Sequence, residues 1–158
     1  MQCSVRSGLG TAVMLPLFVL MCLVIGFGSG MLADTTGGYA SLEMPPLSPP
    51  GWLFPVAWGV LYCLMGVSLW LVYRAGGQVN YYVLFVAQLV LNVLWVPLFF
   101  GEGMMVAALA DLVALWVLVL AMISMVWGTE RNAAYLLIPY LCWLTFAGYL
   151  TVGAIMLN

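Results

Sequence analysis

The chain has 158 residues, 66% of them hydrophobic and 5% charged, with a formal net charge of -2. Soluble domains carry about 25% charged residues, so this composition excludes a water-exposed surface over most of the molecule and makes lipid its solvent. Three arginines without lysine argue against a nucleic-acid partner, and the absence of histidine removes the commonest metal ligand and the usual base near neutral pH.

In chain order, residues 11–32 form an apolar run long enough to cross a hydrocarbon core of ~30 Å. Arg6 precedes it, as in a signal peptide, but the run is long for one and no A-x-A cleavage site follows. Within it Gly26 and Gly30 form a G-x-x-x-G pair, which permits close helix contact. Residues 33–54 make the longest connection, carrying Asp34, Tyr39 and Glu43 and then Pro45, Pro46, Pro49 and Pro50. Proline fixes φ, lacks an N–H and restricts the residue before it, so residues 45–50 cannot be ordinary helix. Pro55 opens the second span, about 55–73, as a first-turn residue. Arg74 and the turn signal Gly76–Gly77 end it. The expectation is a stiff connection, with Tyr39, Pro45, Pro49, Pro50 and Trp52 as its lid, feeding a helix whose first turns display Trp58 and Tyr62 over a cavity.

The third span covers about 80–100, with Tyr81 and Tyr82 at its start and Phe99 and Phe100 at its end. After Gly101, Glu102 and Gly103 the fourth occupies about 104–127. Polar residues 128–132 lead to the fifth, about 133–157. The expected fold is an all-α integral membrane protein, a single domain made of a five transmembrane helix bundle. An odd span count without internal repeats gives no support to the inverted-repeat transporter architecture. Arg6, Arg74 and Arg131 all fall on one side of such a bundle. The positive-inside tendency then places the N-terminus in the cytoplasm and the proline-rich loop and C-terminus outside, at the inner membrane if the source is bacterial.

Polar residues at membrane depth mark the candidate site. Gln88 and Asn92 share one face of the third span. Counting from the outer ends places Asn92 ~12 Å and Asp111 ~10 Å deep at 1.5 Å per residue, and Tyr62 at nearly the same level. Gln88 reads equally as interhelical glue, whereas Asn92 reads as pocket lining. Asp111 must face the bundle, be protonated or hydrogen-bond within this layer, because an ionised carboxylate in lipid costs several kcal/mol. A proton-linked role and a structural hydrogen bond both remain open for it. Trp52 and Trp127 fit an aromatic belt, and Trp70 and Trp116 fit lipid-facing or packing roles. Trp58, Trp95 and Trp143 are candidates for a ligand cage, since indole offers a flat apolar face with one N–H. In the fifth span Pro139 frees the carbonyl of Tyr135, and Trp143, Ala147 and Thr151 share a face with room beside the ring. Of the cysteines, Cys22, Cys63 and Cys142 sit in apolar runs and Cys3 outside them, with no C-x-x-C spacing; buried thiols there act as small hydrophobes.

The segments PPLSPPGWLFPVAWGVLY and QLVLNVLWVPLFF, then Asp111, then PYLCWLTFA together resemble the TspO/MBR family of tryptophan-rich sensory and translocator proteins, over essentially residues 26–158. The resemblance implies a five-helix bundle, commonly a homodimer, with a cavity open toward the first loop. It implies porphyrins as ligands, with sterols and isoquinoline or benzodiazepine drugs for several members. The family's pocket residues correspond to Trp58, Tyr62, Asn92, Pro139, Tyr140, Trp143 and Ala147. Reported family roles include tetrapyrrole sensing, transport and light-dependent porphyrin breakdown. Two positions depart from the pattern: Met44 stands where members often carry a basic residue, and Thr151 where they often carry asparagine. The sterol pattern of Tyr followed by Lys or Arg lacks its basic partner after Tyr149.

The leading expectation is a membrane binding protein for a planar hydrophobic tetrapyrrole, needing no cofactor and no metal. Its expected partners are membrane lipid, that ligand and a second copy of the chain. The residues contain no histidine-based triad, metal set or nucleophile–base pair, so an enzyme reading rests on light and oxygen chemistry at a bound pigment. A proton-linked transporter using Asp111, or a regulatory membrane subunit, are the remaining alternatives.

Overall fold

The computed structural model describes residues 8–32, 43–100 and 104–158. Five helices fill them: α1 (Leu9–Leu32), α2 (Leu53–Arg74), α3 (Val79–Phe100), α4 (Met105–Val126) and α5 (Arg131–Leu157). All five are long and apolar enough to cross a membrane, which is the all-α five-helix membrane architecture that the composition predicts. Tyr39, assigned to the lid, lies outside the described residues, as do Asp34, Arg6 and Glu102.

α2 starts at Leu53 rather than at Pro55. The proline still lies in the first turn, where a helix has no use for the N–H it lacks. Pro16, Pro97 and Pro139 lie inside α1, α3 and α5, and each helix continues through its proline.

The helices close into a ring. α2 packs between α1 and α5, α4 packs between α3 and α5, and a slighter contact of α1 with α3 completes the circuit. Small residues set the closest crossing: a Cβ on Gly66 of α2 would come within 2.6 Å of the Val19 backbone in α1. The interior holds Met65, Tyr81, Phe85, Leu115, Met122 and Leu137, all almost fully buried. Outward faces carry Val83, Val86 and Val90 of α3 and Val106, Val113 and Val117 of α4. A helix apolar on every side is what a lipid solvent selects. One polar joint ties the end of the bundle away from the proline-rich loop. Ser68 donates to the Ala133 carbonyl at 2.9 Å, and its hydroxyl lies 3.4 Å from that of Tyr81.

The described part of the loop, residues 43–52, is seated on the far end of α5. Asn158 accepts from the Glu43 N–H at 3.1 Å and donates to the Glu43 carbonyl at 3.0 Å. The Tyr149 hydroxyl donates to the Pro46 carbonyl at 2.7 Å. Pro45 is buried on Gly153, where any side chain would overlap its ring. Next comes a tight turn: Ser48 N–H donates to Pro45 O at 3.3 Å, and Leu47 takes φ +71° at its third position. That is type II turn geometry, which glycine or asparagine usually supplies, so Leu47 holds a strained backbone.

Candidate functional site

A cavity of about 650 Å³ opens between the second half of α1, the start of α2 and the end of α3. It lies at the slighter α1–α3 seam, beside the loop. Each wall follows from local sequence. Trp58 and Tyr62 are four residues apart on α2, hence on one face, and their rings stack with centroids 5.4 Å apart. Asn92 and Trp95 face them from α3, and Trp95 is buried and stacked on Phe99 at 4.8 Å. Trp52 and Gly51 form the rim nearest the loop.

The glycine pair of α1 divides its work. A Cβ on Gly26 would overlap the Tyr62 ring, while one on Gly30 would meet nothing within 4 Å. Gly26 therefore lets the tyrosine ring close against α1, and Gly30 leaves open space beside it. Gly26, Gly30, Phe27, Met31 and Phe100 are walls that sequence reasoning did not assign to the site. The four-residue glycine spacing opposite the Trp58–Tyr62 face was the signal available for the α1 pair.

The polar layer exists with a different membership from the one that depth counting suggests. The Tyr62 hydroxyl donates to Asn92 Oδ1 at 2.7 Å. Asn92 Nδ2 donates to the Tyr140 hydroxyl at 3.0 Å, and Tyr140 in turn donates to Gln88 Oε1 at 3.1 Å. Three helices, α2, α3 and α5, are thereby joined through one chain of donors. Asp111 is buried in α4, its Oδ2 has no hydrogen-bond partner among the described residues, and it does not reach the chamber wall. Depth alone says nothing about which way a helix face points, and tyrosine rather than aspartate completes the layer.

Several other candidates sit behind the wall instead of on it. Trp143 meets Trp58 edge-on at 6.4 Å and Phe54 at 6.0 Å, so it backs the cage. Tyr140 also contacts Trp58 edge-on, at 6.1 Å. Ala147 is buried in α5 and is not among the lining residues. Of the loop candidates, Pro45 belongs to the seat on α5, Pro49 is half-buried and Pro50 is exposed. Gln88 Nε2 and Trp95 Nε1 are buried donors with no partner among the described residues. Trp70 donates to the Thr11 carbonyl at 2.8 Å and Trp116 to the Thr145 hydroxyl at 3.0 Å. Both are helix-to-helix ties, and neither ring is part of the chamber's lining.

No charged side chain lines the chamber, and no cluster of metal-ligating side chains occurs among the described residues. The arrangement can do one thing well: hold a flat apolar molecule between rings, against a single amide.

The profile of the TspO/MBR family matches residues 18–157. The chain belongs to this family. It is 36% identical over 150 residues to the tryptophan-rich protein TspO of Chlorobaculum tepidum, covering 91% of this chain and 95% of that one. The tryptophan-rich sensory protein of Cereibacter sphaeroides is 36% identical over 130 residues, 82% of each chain. The translocator protein of Bos taurus is 42% identical over 118 residues, 71% of this chain and 69% of the relative. The stretch that matches the TspO/MBR family contains every residue lining the chamber described above.

Proposed function

We propose that this TspO/MBR protein is a membrane receptor for planar hydrophobic ligands, with a porphyrin or related tetrapyrrole as its natural class. The observation that carries the reading is the chamber of about 650 Å³ faced by Trp58, Trp95 and Asn92. Its volume falls within the ~300–1,000 Å³ of small-molecule sites, and an apolar wall with few polar groups is their usual make-up. Stacking on indole suits a flat conjugated ring. The relatives' names, sensory and translocator, fit a protein that senses or moves such a molecule. The N-terminus is assigned to the cytoplasm and the loop to the outside, and the assembly to a homodimer in keeping with the family.

The test is porphyrin binding to Trp58→Leu with Trp95→Leu in lipid nanodiscs, read by fluorescence quenching, with thermal unfolding as the check on folding. At least a ten-fold loss of affinity is expected. A folded double variant that binds as well as the parent overturns the reading.

A second reading is favoured by the pair Trp58 and Trp143, two oxidisable rings in edge contact beside the chamber: light- and oxygen-dependent breakdown of the bound pigment. Illumination without oxygen discriminates, since breakdown at an unchanged anaerobic rate removes it.

A further inference from the structure

We infer that the chamber selects planar ligands without charge, and that a ligand bearing carboxylates binds only by leaving them in water outside the rim. The inference rests on the chamber being a planar-ligand site and names which chemical subclass it takes.

Four observations carry it. First, the wall contains no charged residue among the described residues. Second, the described cations lie at the other end of the bundle. Arg74 ends α2, ~24 Å along the helix from Trp58 at 1.5 Å per residue, and its guanidinium is held over the Trp70 ring at 4.7 Å. Arg131 begins α5, whose opposite end carries the Gly153 seat of the loop. Arg6 precedes α1 in sequence and lies outside the described residues, whereas the chamber follows the second half of α1. The described charge nearest to the loop in sequence is acidic, Glu43.

Third, the start of α2 points its first turn toward the rim, and a helix N-terminus is ordinarily an anion site because its N–H groups are unpaired. Here the first three helical residues offer none. Leu53 N–H donates to Pro50 O at 2.9 Å and Phe54 N–H to Gly51 O at 3.3 Å, and Pro55 has no N–H at all. Fourth, the wall's hydroxyl and amide are already engaged: the Tyr62 hydroxyl donates to Asn92, and Asn92 donates to Tyr140, which leaves the neutral Trp95 indole N–H as the buried lining donor without a partner among the described residues. A carboxylate brought inside would therefore lose its hydration and gain at most a neutral indole donor from Trp95, with no cation, no helix end and no hydroxyl donor. Burying an unpaired ion on those terms is strongly unfavourable.

The test compares protoporphyrin IX with its dimethyl ester, which shares the ring and lacks both charges. Binding is measured by tryptophan quenching in zwitterionic nanodiscs, after subtracting partition into empty nanodiscs. The ester is expected to bind at least ten-fold more tightly than the diacid. Met31→Lys places a cation at the chamber edge, on a side chain that is 87% exposed, and is expected to tighten the diacid by a larger factor than the ester. Equal wild-type affinities, or a tighter diacid, together with no selective gain in Met31→Lys, overturn the charge preference and leave the chamber reading standing. Saturable binding of neither probe sinks the chamber reading and this inference with it.

Discussion

Gly26 and Gly30 look alike in sequence, yet they meet different surroundings four residues apart. At Gly26 the nearest neighbour is the Tyr62 ring, which a side chain would overlap; at Gly30 there is open space. Gly26→Ala is therefore expected to lower stability by about 1–3 kcal/mol, the usual cost of overpacking, and to shift Tyr62 off Asn92. Gly30→Ala, with a free methyl and a better helix former, is expected to hold or raise stability while narrowing the chamber. Unfolding of the two variants in one detergent checks this. Equal destabilisation would contradict the assignment of Gly26 to the tyrosine seat. Both glycines were legible in sequence as a small-residue pair, but the division of labour was not. Nothing in a G-x-x-x-G spacing says which of the two faces a ring.

Among the elements, the proline-rich loop and α5 behave as one unit. Prolines announce themselves in sequence because they remove donors and fix φ, so a stiff non-helical loop at residues 45–50 was readable. Where it rests was not, because its partners Tyr149, Gly153 and Asn158 are some hundred residues further along. Gly153→Val is expected to push Pro45 off α5 and speed amide hydrogen exchange at Glu43 and Ser48, leaving exchange in α3 and α4 unchanged. Exchange at those loop amides as slow as in the parent would show that the seat does not hold the loop. The same logic applies to α3, where Gln88 and Asn92 were readable as a shared polar face. Their common partner Tyr140 comes from α5, and it displaces Asp111 from the layer.

For the whole molecule, the proposed orientation rests on three arginines that fall on one side of five spans in sequence. Ser48, in the loop, is expected on the outside of the membrane. In intact bacterial cells carrying the protein in the inner membrane, Ser48→Cys should react with a membrane-impermeant maleimide well above the level of the parent's own cysteines. Reaction only after lysis would reverse the orientation. The closed ring also explains why the chamber lies where it does. Of the neighbouring pairs that make the ring, α1 and α3 meet least closely, and the rings of Trp58, Tyr62 and Trp95 line the gap that this leaves.

The sequence by itself determined the solvent, the number of spans and the family, since hydropathy runs, prolines and motif order are local properties that survive without coordinates. It also named Trp58, Tyr62, Asn92 and Trp95, because equal depth and helical spacing follow from counting residues. Only the tertiary structure decided the azimuth of each helix. It moved Trp143, Tyr140 and Ala147 behind the wall, separated Asp111 from the polar layer and brought α1 in as a wall. Counting along a helix fixes height above the membrane midplane, whereas direction around the axis is fixed by packing against neighbours that no local pattern identifies.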